Sequence, residues 1–163
     1  MFQPAQIKGK KPKPSWFDIE LQRNNGNTET LITAMGDDKI YKDATRIFKD
    51  LMHRNINLEV YGQYFNDPRL MYGLYSKAYD RYLYHITICN AVTHYHDYHM
   101  NASPNDVDSL NYEVTVANNS QRLANAYSLI CEALNLVKET RNPSYLYGLS
   151  DKLAPYRTEL QNE

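Results

Sequence analysis

The chain has 163 residues, of which 42% are hydrophobic, and it carries a formal net charge of −1. This length allows one domain with a buried core, and the small net charge gives no overall field that selects nucleic acid or an acidic membrane. No apolar run approaches the roughly 20 residues that span a bilayer, and the N-terminus lacks the apolar core of a secretory signal. We therefore expect a cytoplasmic or virion protein that binds no membrane and is not secreted by a signal peptide.

The first 14 residues, MFQPAQIKGKKPKP, contain lysine, proline and glycine but no acidic residue. Proline fixes φ and removes a backbone donor, so residues 1–14 are predicted to form an extended basic arm ahead of a single helical domain over residues 15–163. The lysines of this arm fit an acidic protein surface or the phosphates of nucleic acid. The candidate partner-binding residues are Lys8, Lys10, Lys11 and Lys13.

Two short segments alternate apolar and polar residues, WFDIELQ at 16–22 and INLEVY at 56–61. This period of two predicts a small two-stranded ribbon. Two shorter helices are predicted between them. The first is capped by Asn27 and ended by Gly36, and the second is capped by Asp37 and runs to about Arg54.

A long antiparallel helical hairpin is predicted for the centre of the chain. Asp67 before Pro68 is a strong helix start, and a first helix is expected over about 68–100. Ser103 and Pro104 repeat that signal, so a second helix is expected from there to about Thr140, with residues 101–104 as the turn.

Both predicted helices carry residues spaced in alternating steps of three and four, which is typical of a buried seam. On the first helix the seam is Met71, Tyr75, Ala78, Tyr82, His85, Cys89, Val92, His96 and His99. On the second it is Val116, Ser120, Leu123, Tyr127, Ile130, Leu134 and Val137. Short helical turns are expected near Leu146, Leu149 and Leu153, interrupted by Pro155.

Residues 85–100, HITICNAVTHYHDYHM, hold four of the five histidines and one of the two cysteines. Imidazole and thiolate are common zinc ligands, but Cys89 and His96 are separated by about 10 Å along a helix, too far for one ion. We therefore expect no metal and no cofactor, with seam histidines hydrogen-bonded to neighbours and Cys89 as a small buried side chain. In the hairpin, Cys89 and Cys131 would be offset by about 24 Å, which excludes a disulfide.

Tyrosine is unusually frequent, with 15 in the chain and nine of these between Tyr61 and Tyr98. Tyrosine offers a broad rigid ring with a polar tip, which suits both protein interfaces and half-wet cores. The interface candidates are Trp16, Tyr72, Tyr75, Tyr79, Tyr82, Tyr95 and Tyr98.

No sequence motif fixes an activity: the chain lacks a Walker loop and the GxSxG, GxGxxG and HExxH patterns. The sequence favours a non-enzymatic assembly protein that forms a homo-oligomer or binds neighbouring subunits, as in a head-to-tail adaptor of a virus or phage particle. One alternative is a nucleic-acid-binding protein that uses the lysine arm. Another is a metal-dependent enzyme or sensor that uses the strip from His85 to His99.

Overall fold

The computed structural model describes residues 38–54 and 56–163, and every regular element in these ranges is helical. The α-helices are α1 (Asp38–His53), α2 (Leu58–Tyr61), α3 (Pro68–Ala102), α4 (Val107–Thr140), α5 (Tyr145–Leu153) and α6 (Arg157–Gln161). Two 3₁₀ turns, Gly62–Asn66 and Ala154–Tyr156, precede α3 and α6. The prediction of a mainly helical protein is confirmed for the described residues.

The long helices α3 and α4 pack along each other as the predicted hairpin. The Asp67 carboxylate accepts a hydrogen bond from the Arg69 N–H at 2.9 Å, and Pro68 occupies the first turn, where its missing N–H costs nothing. At the other end, α4 stops because Arg141 adopts a left-handed conformation, with φ of 56°, just before Asn142 and Pro143.

The apolar core lies around one half of the hairpin, which we call the base. There α1 packs on α3, α5 packs on α4, and α6 contacts both α1 and α4. The guanidinium of Arg157 on α6 donates to the Met52 carbonyl and to the Ser150 hydroxyl, which ties α6 to α1 and α5. The largest side chains fully buried there are Tyr72, Tyr127, Ile47, Leu70, Met71, Leu74, Ile130, Leu134, Leu146, Leu153 and Leu160.

The predicted seams match the buried faces of α3 and α4 at all but one position on each helix. Val92 and Val116 are only half-buried, and Thr93 and Ala117 are buried beside them. An α-helix has 3.6 residues per turn, whereas a strict heptad pattern assumes 3.5, so the buried face moves gradually around the helix. On both α3 and α4 this displaces the buried position by one residue at one point of the predicted seam.

The prediction of a strand over residues 56–61, the second strand of the ribbon, is wrong. Residues 58–61 form α2, because the Asn57 side chain accepts the Glu59 N–H at 3.0 Å and the Asn57 carbonyl accepts the Tyr61 N–H at 2.9 Å. An alternating pattern over six residues also fits a single capped helical turn.

The predicted start of the second long helix at Ser103 and Pro104 is also wrong. The Asp106 N–H donates to the Ser103 carbonyl at 3.1 Å, which closes a turn over 103–106, and α4 begins at Val107.

The predicted arm, the strand over 16–22 and the helix from Asn27 to Gly36 lie outside the described residues. Within the described ranges, no helix is both long and apolar enough to cross a membrane.

Candidate functional site: the distal half of the hairpin

The half of the hairpin opposite the base lies beyond the apolar core. That core ends at Tyr82 on α3 and resumes at Leu123 on α4. Residues 83–120, which we call the distal hairpin, extend from there to the turn. The α3 part of the distal hairpin spans about 30 Å at 1.5 Å per residue.

The seam of the distal hairpin is small and polar rather than apolar. The buried residues are His85, Cys89, Thr93, His96 and His99 on α3, and Glu113, Ala117 and Ser120 on α4. The Cys89 thiol donates to the Ala117 carbonyl at 3.4 Å, and burial raises its pKa. This confirms the expected role of Cys89 as a small packed side chain, and both cysteines are free thiols.

A buried carboxylate holds two histidines in this seam. The Nδ1 atoms of His96 and His99 lie 3.0 Å and 2.6 Å from the two carboxylate oxygens of Glu113. Because each histidine bonds a different oxygen, Glu113 joins two consecutive turns of α3 to α4. The expected hydrogen-bonded state of the seam histidines is confirmed here.

His99 faces carboxylates through both ring nitrogens. Its Nε2 lies 3.1 Å from the carboxylate of Asp106, the residue that precedes α4. Both nitrogens can donate at once only in the imidazolium form. The hydrogen bond to Glu113 raises the pKa of His99, and Asp106 adds to this rise. Burial alone would raise the pKa of Glu113, but its bonds with His99 and His96 outweigh burial and lower that pKa.

A second hydrogen-bonded cluster, centred on Glu163, lies at the boundary between the distal hairpin and the base. The Glu163 carboxylate accepts hydrogen bonds from Arg81 at 2.6 Å, His85 Nε2 at 2.7 Å and the Tyr127 hydroxyl at 2.8 Å. Burial lowers the pKa of His85, and Glu163 offsets only part of this effect. These bonds also hold the pKa of Glu163 below its usual range, although its burial works in the opposite direction.

The histidine strip is divided by this arrangement. His96 and His99 meet Glu113, His85 meets Glu163, and His94 is exposed on another face. No group of three or more His, Cys, Asp or Glu in the described ranges is arranged to hold a metal ion.

The distal hairpin is acidic. Between Arg81 and Arg122 the sequence has no Lys or Arg, but it has Asp97, Asp106, Asp108 and Glu113. Residues 83–120 therefore carry four carboxylates and no Lys or Arg, and they remain net negative when His99 is an imidazolium. Glu113 is buried against its histidines, whereas the three aspartates are exposed.

Four tyrosines of the distal hairpin project into solvent: Tyr84, Tyr95, Tyr98 and Tyr112. Tyr98 and Tyr112 are 67% and 70% exposed. The rings of Tyr95 and Tyr98 lie 6.5 Å apart on consecutive turns of α3, and the Tyr95 ring lies 5.5 Å from the ring of His99. Because His99 also bonds Asp106, an aromatic pair and an exposed carboxylate meet at one end of the hairpin.

The structure separates the predicted interface tyrosines into two groups. Tyr72, Tyr75 and Tyr82 are at most 5% exposed and belong to the core, so this fold leaves them no surface for a partner. They were predicted for an interface because tyrosine spacing alone does not distinguish a core face from a binding face. Tyr79 is half-buried against the core, and Tyr95 and Tyr98 are exposed. Trp16 and the four arm lysines lie outside the described residues.

Sequence reasoning missed Glu113, Asp106 and Glu163 as histidine partners, and it missed Tyr84 and Tyr112 as exposed rings. One signal was present for Glu113. The steps of three and four that join Ser120, Ala117 and Glu113 extend the α4 seam toward the turn, where the α3 histidines lie. Nothing comparable in the sequence places Glu163 beside His85.

Comparisons with protein-family models, curated protein sequences and solved structures found no match for this chain.

Proposed function

We propose that the protein is a non-enzymatic assembly subunit whose copies associate through the distal hairpin. The observation that carries this proposal is the set of exposed tyrosine rings on a segment that lies beyond the core. Tyrosine is enriched at protein interfaces, because it buries a large rigid ring at low entropic cost and keeps a hydroxyl for hydrogen bonding.

The seam beneath these rings supports the same role. A docking element has to hold its shape without help from a large core, and Glu113 fixes two turns of α3 to α4 by charged hydrogen bonds. The distal tyrosines are therefore presented on a preorganised surface, which reduces the entropy lost on binding.

The setting that we propose is a larger protein complex, such as a head-to-tail adaptor or similar connector of a virus or phage particle. A ring of fixed copy number would support this setting. The rival proposal is nucleic-acid binding through the arm. It predicts DNA affinity that falls steeply with salt and disappears when the four arm lysines become glutamine.

Tyrosine substitution in the full chain tests the proposal. The variant Tyr95→Ser/Tyr98→Ser removes two exposed distal rings, and Tyr145→Ser/Tyr147→Ser removes two exposed rings of α5 at the base. Sedimentation velocity should show assembly by the wild type and by the α5 variant, and weaker assembly by the distal variant. Equal assembly of both variants, or a wild type that stays monomeric, would contradict the proposal.

A further inference from the structure

We propose that the distal hairpin of one copy is the docking site for the lysine-bearing segment 1–14 of a neighbouring copy. This inference rests on the proposed function, because it names the partner segment for the same surface. The site is formed by the exposed rings of Tyr95 and Tyr98 and the exposed aspartates of the distal hairpin.

Charge complementarity is the first argument for this occupant. The distal hairpin holds four acidic residues and no Lys or Arg, whereas residues 1–14 hold four lysines and no acidic residue. The remainder of the chain, with the arm and distal hairpin removed, has 14 basic and 15 acidic residues and is nearly neutral. The two segments are therefore the charged regions of opposite sign in an otherwise balanced chain.

The aromatic rings of the site also favour this occupant. Extended proline-rich segments dock on grooves lined with aromatic side chains, because the proline ring packs flat and the segment loses little entropy. The sequence KGKKPKP interleaves lysine with Pro12 and Pro14. Lysine also stacks favourably over tyrosine, as Lys77 does here at 4.5 Å from the centre of the Tyr41 ring.

The geometry brings both kinds of contact together. Tyr95 lies against His99, and His99 holds Asp106, whose side chain remains 47% exposed. A segment lying over Tyr95 and Tyr98 would therefore place its lysines beside the Asp106 carboxylate. Asp97 and Asp108 offer two further exposed carboxylates close to the turn in sequence.

Charge reversal in the full chain tests the pairing. The arm variant changes Lys8, Lys10, Lys11 and Lys13 to Glu, and the site variant is Asp97→Lys/Asp108→Lys. Each variant alone should raise the concentration at which half of the protein assembles by roughly tenfold or more. Mixing the two variants should restore assembly. The acidic arm of one variant then meets the basic site of the other, and the unchanged lysine arm meets the unchanged acidic site. Circular dichroism should show wild-type helix content for both variants, and the melting temperature of the site variant should fall only slightly, because Asp108 is exposed in the first turn of α4.

The mixture also distinguishes docking between copies from docking within one chain. If the arm reaches only its own hairpin, the mixture does not regain assembly, whereas a variant carrying both sets of changes regains assembly alone. This result would overturn the proposal.

Zero-length carbodiimide coupling in a mixture of ¹⁵N-labelled and unlabelled chains should join arm lysines to distal aspartates between copies. A wild type that assembles normally, together with single variants that assemble as well as the wild type, overturns this inference alone. A monomeric wild type overturns the proposed function.

Discussion

The Nδ1 atom of His99 lies 2.6 Å from a carboxylate oxygen of Glu113, so a charged hydrogen bond closes the seam of the distal hairpin. The same carboxylate holds His96, and the other ring nitrogen of His99 faces Asp106. The stability of a two-helix segment with this polar seam therefore depends on the protonation of its histidines and carboxylates.

Glu113→Gln should destabilise the protein most between about pH 4.5 and 6.5. The pKa of His99 is raised from 6.5, so its contribution is complete below that pH and is lost as the pH rises through the folded-state pKa. The pKa of Glu113 is lowered from 4.5, so its contribution is complete above that pH and is lost on acidification. Melting temperatures of wild type and variant, measured from pH 3 to 8.5, should differ most within this window, and the difference should shrink on acidification and as the pH rises through the raised folded-state pKa of His99.

The matched control for this prediction is Glu132→Gln, which removes an exposed carboxylate from the same helix. Its melting temperature should follow the wild type at every pH. An NMR titration should also show that the pKa of the His99 imidazole falls in Glu113→Gln. An unchanged His99 titration would contradict the assigned bond.

Metal removal should have no effect on the folded protein. The Nδ1 atoms of His96 and His99 are engaged by Glu113, and the described residues hold no cluster suited to a metal. Purified protein should therefore carry no stoichiometric zinc, and a chelator should leave the melting temperature unchanged. One tightly bound metal ion per chain, measured by elemental analysis, would contradict this account.

Tyr127→Phe should lower the free energy of unfolding by about 1.5 kcal/mol, since a hydrogen bond to a charged acceptor is lost. The Tyr127 hydroxyl donates to Glu163 at 2.8 Å, while its ring stacks on Phe48 and His85 and would remain in place. Urea denaturation measures the change. Tyr145→Phe, at an exposed ring, is the control and should change stability little.

Leu134→Ala should destabilise the base by about 2–5 kcal/mol, because a fully buried leucine leaves a cavity when it is truncated. Leu136 lies two residues further along α4 and is 38% exposed, so Leu136→Ala should cost far less. Urea denaturation of the two variants compares the buried and exposed faces of α4 directly. Equal losses of stability would contradict the assigned orientation of this helix.

The sequence was most informative where local signals agree. The Asp67–Pro68 start, the seams of α3 and α4 and the stop at Asn142–Pro143 each have a local physical cause, and the hairpin followed from them. The ribbon prediction failed because the alternation over 56–61 is too short to distinguish a strand from the Asn57-capped turn. The start of α4 was misplaced because Ser103 and Pro104 belong to the turn.

The candidate site was less accessible from sequence, because it depends on contacts between distant residues. The histidine strip was recognised, but its partner Glu113 lies 14 residues beyond His99 and carries a charge, so an apolar seam pattern does not include it. Exposure could not be assigned to individual tyrosines either. Tyr82 lies on the predicted seam and is buried, whereas Tyr98 lies off the seam and is 67% exposed, but a seam pattern alone does not distinguish a core face from a binding face.

Hydrogen–deuterium exchange of the full chain at two concentrations, below and above its assembly transition, tests the central claim most directly. The account predicts that assembly slows exchange in the distal hairpin, around Tyr95, Tyr98 and Tyr112, and leaves α5 and α6 unchanged. Slowed exchange confined to the base, with none in residues 83–120, would show that the copies associate elsewhere and would contradict it.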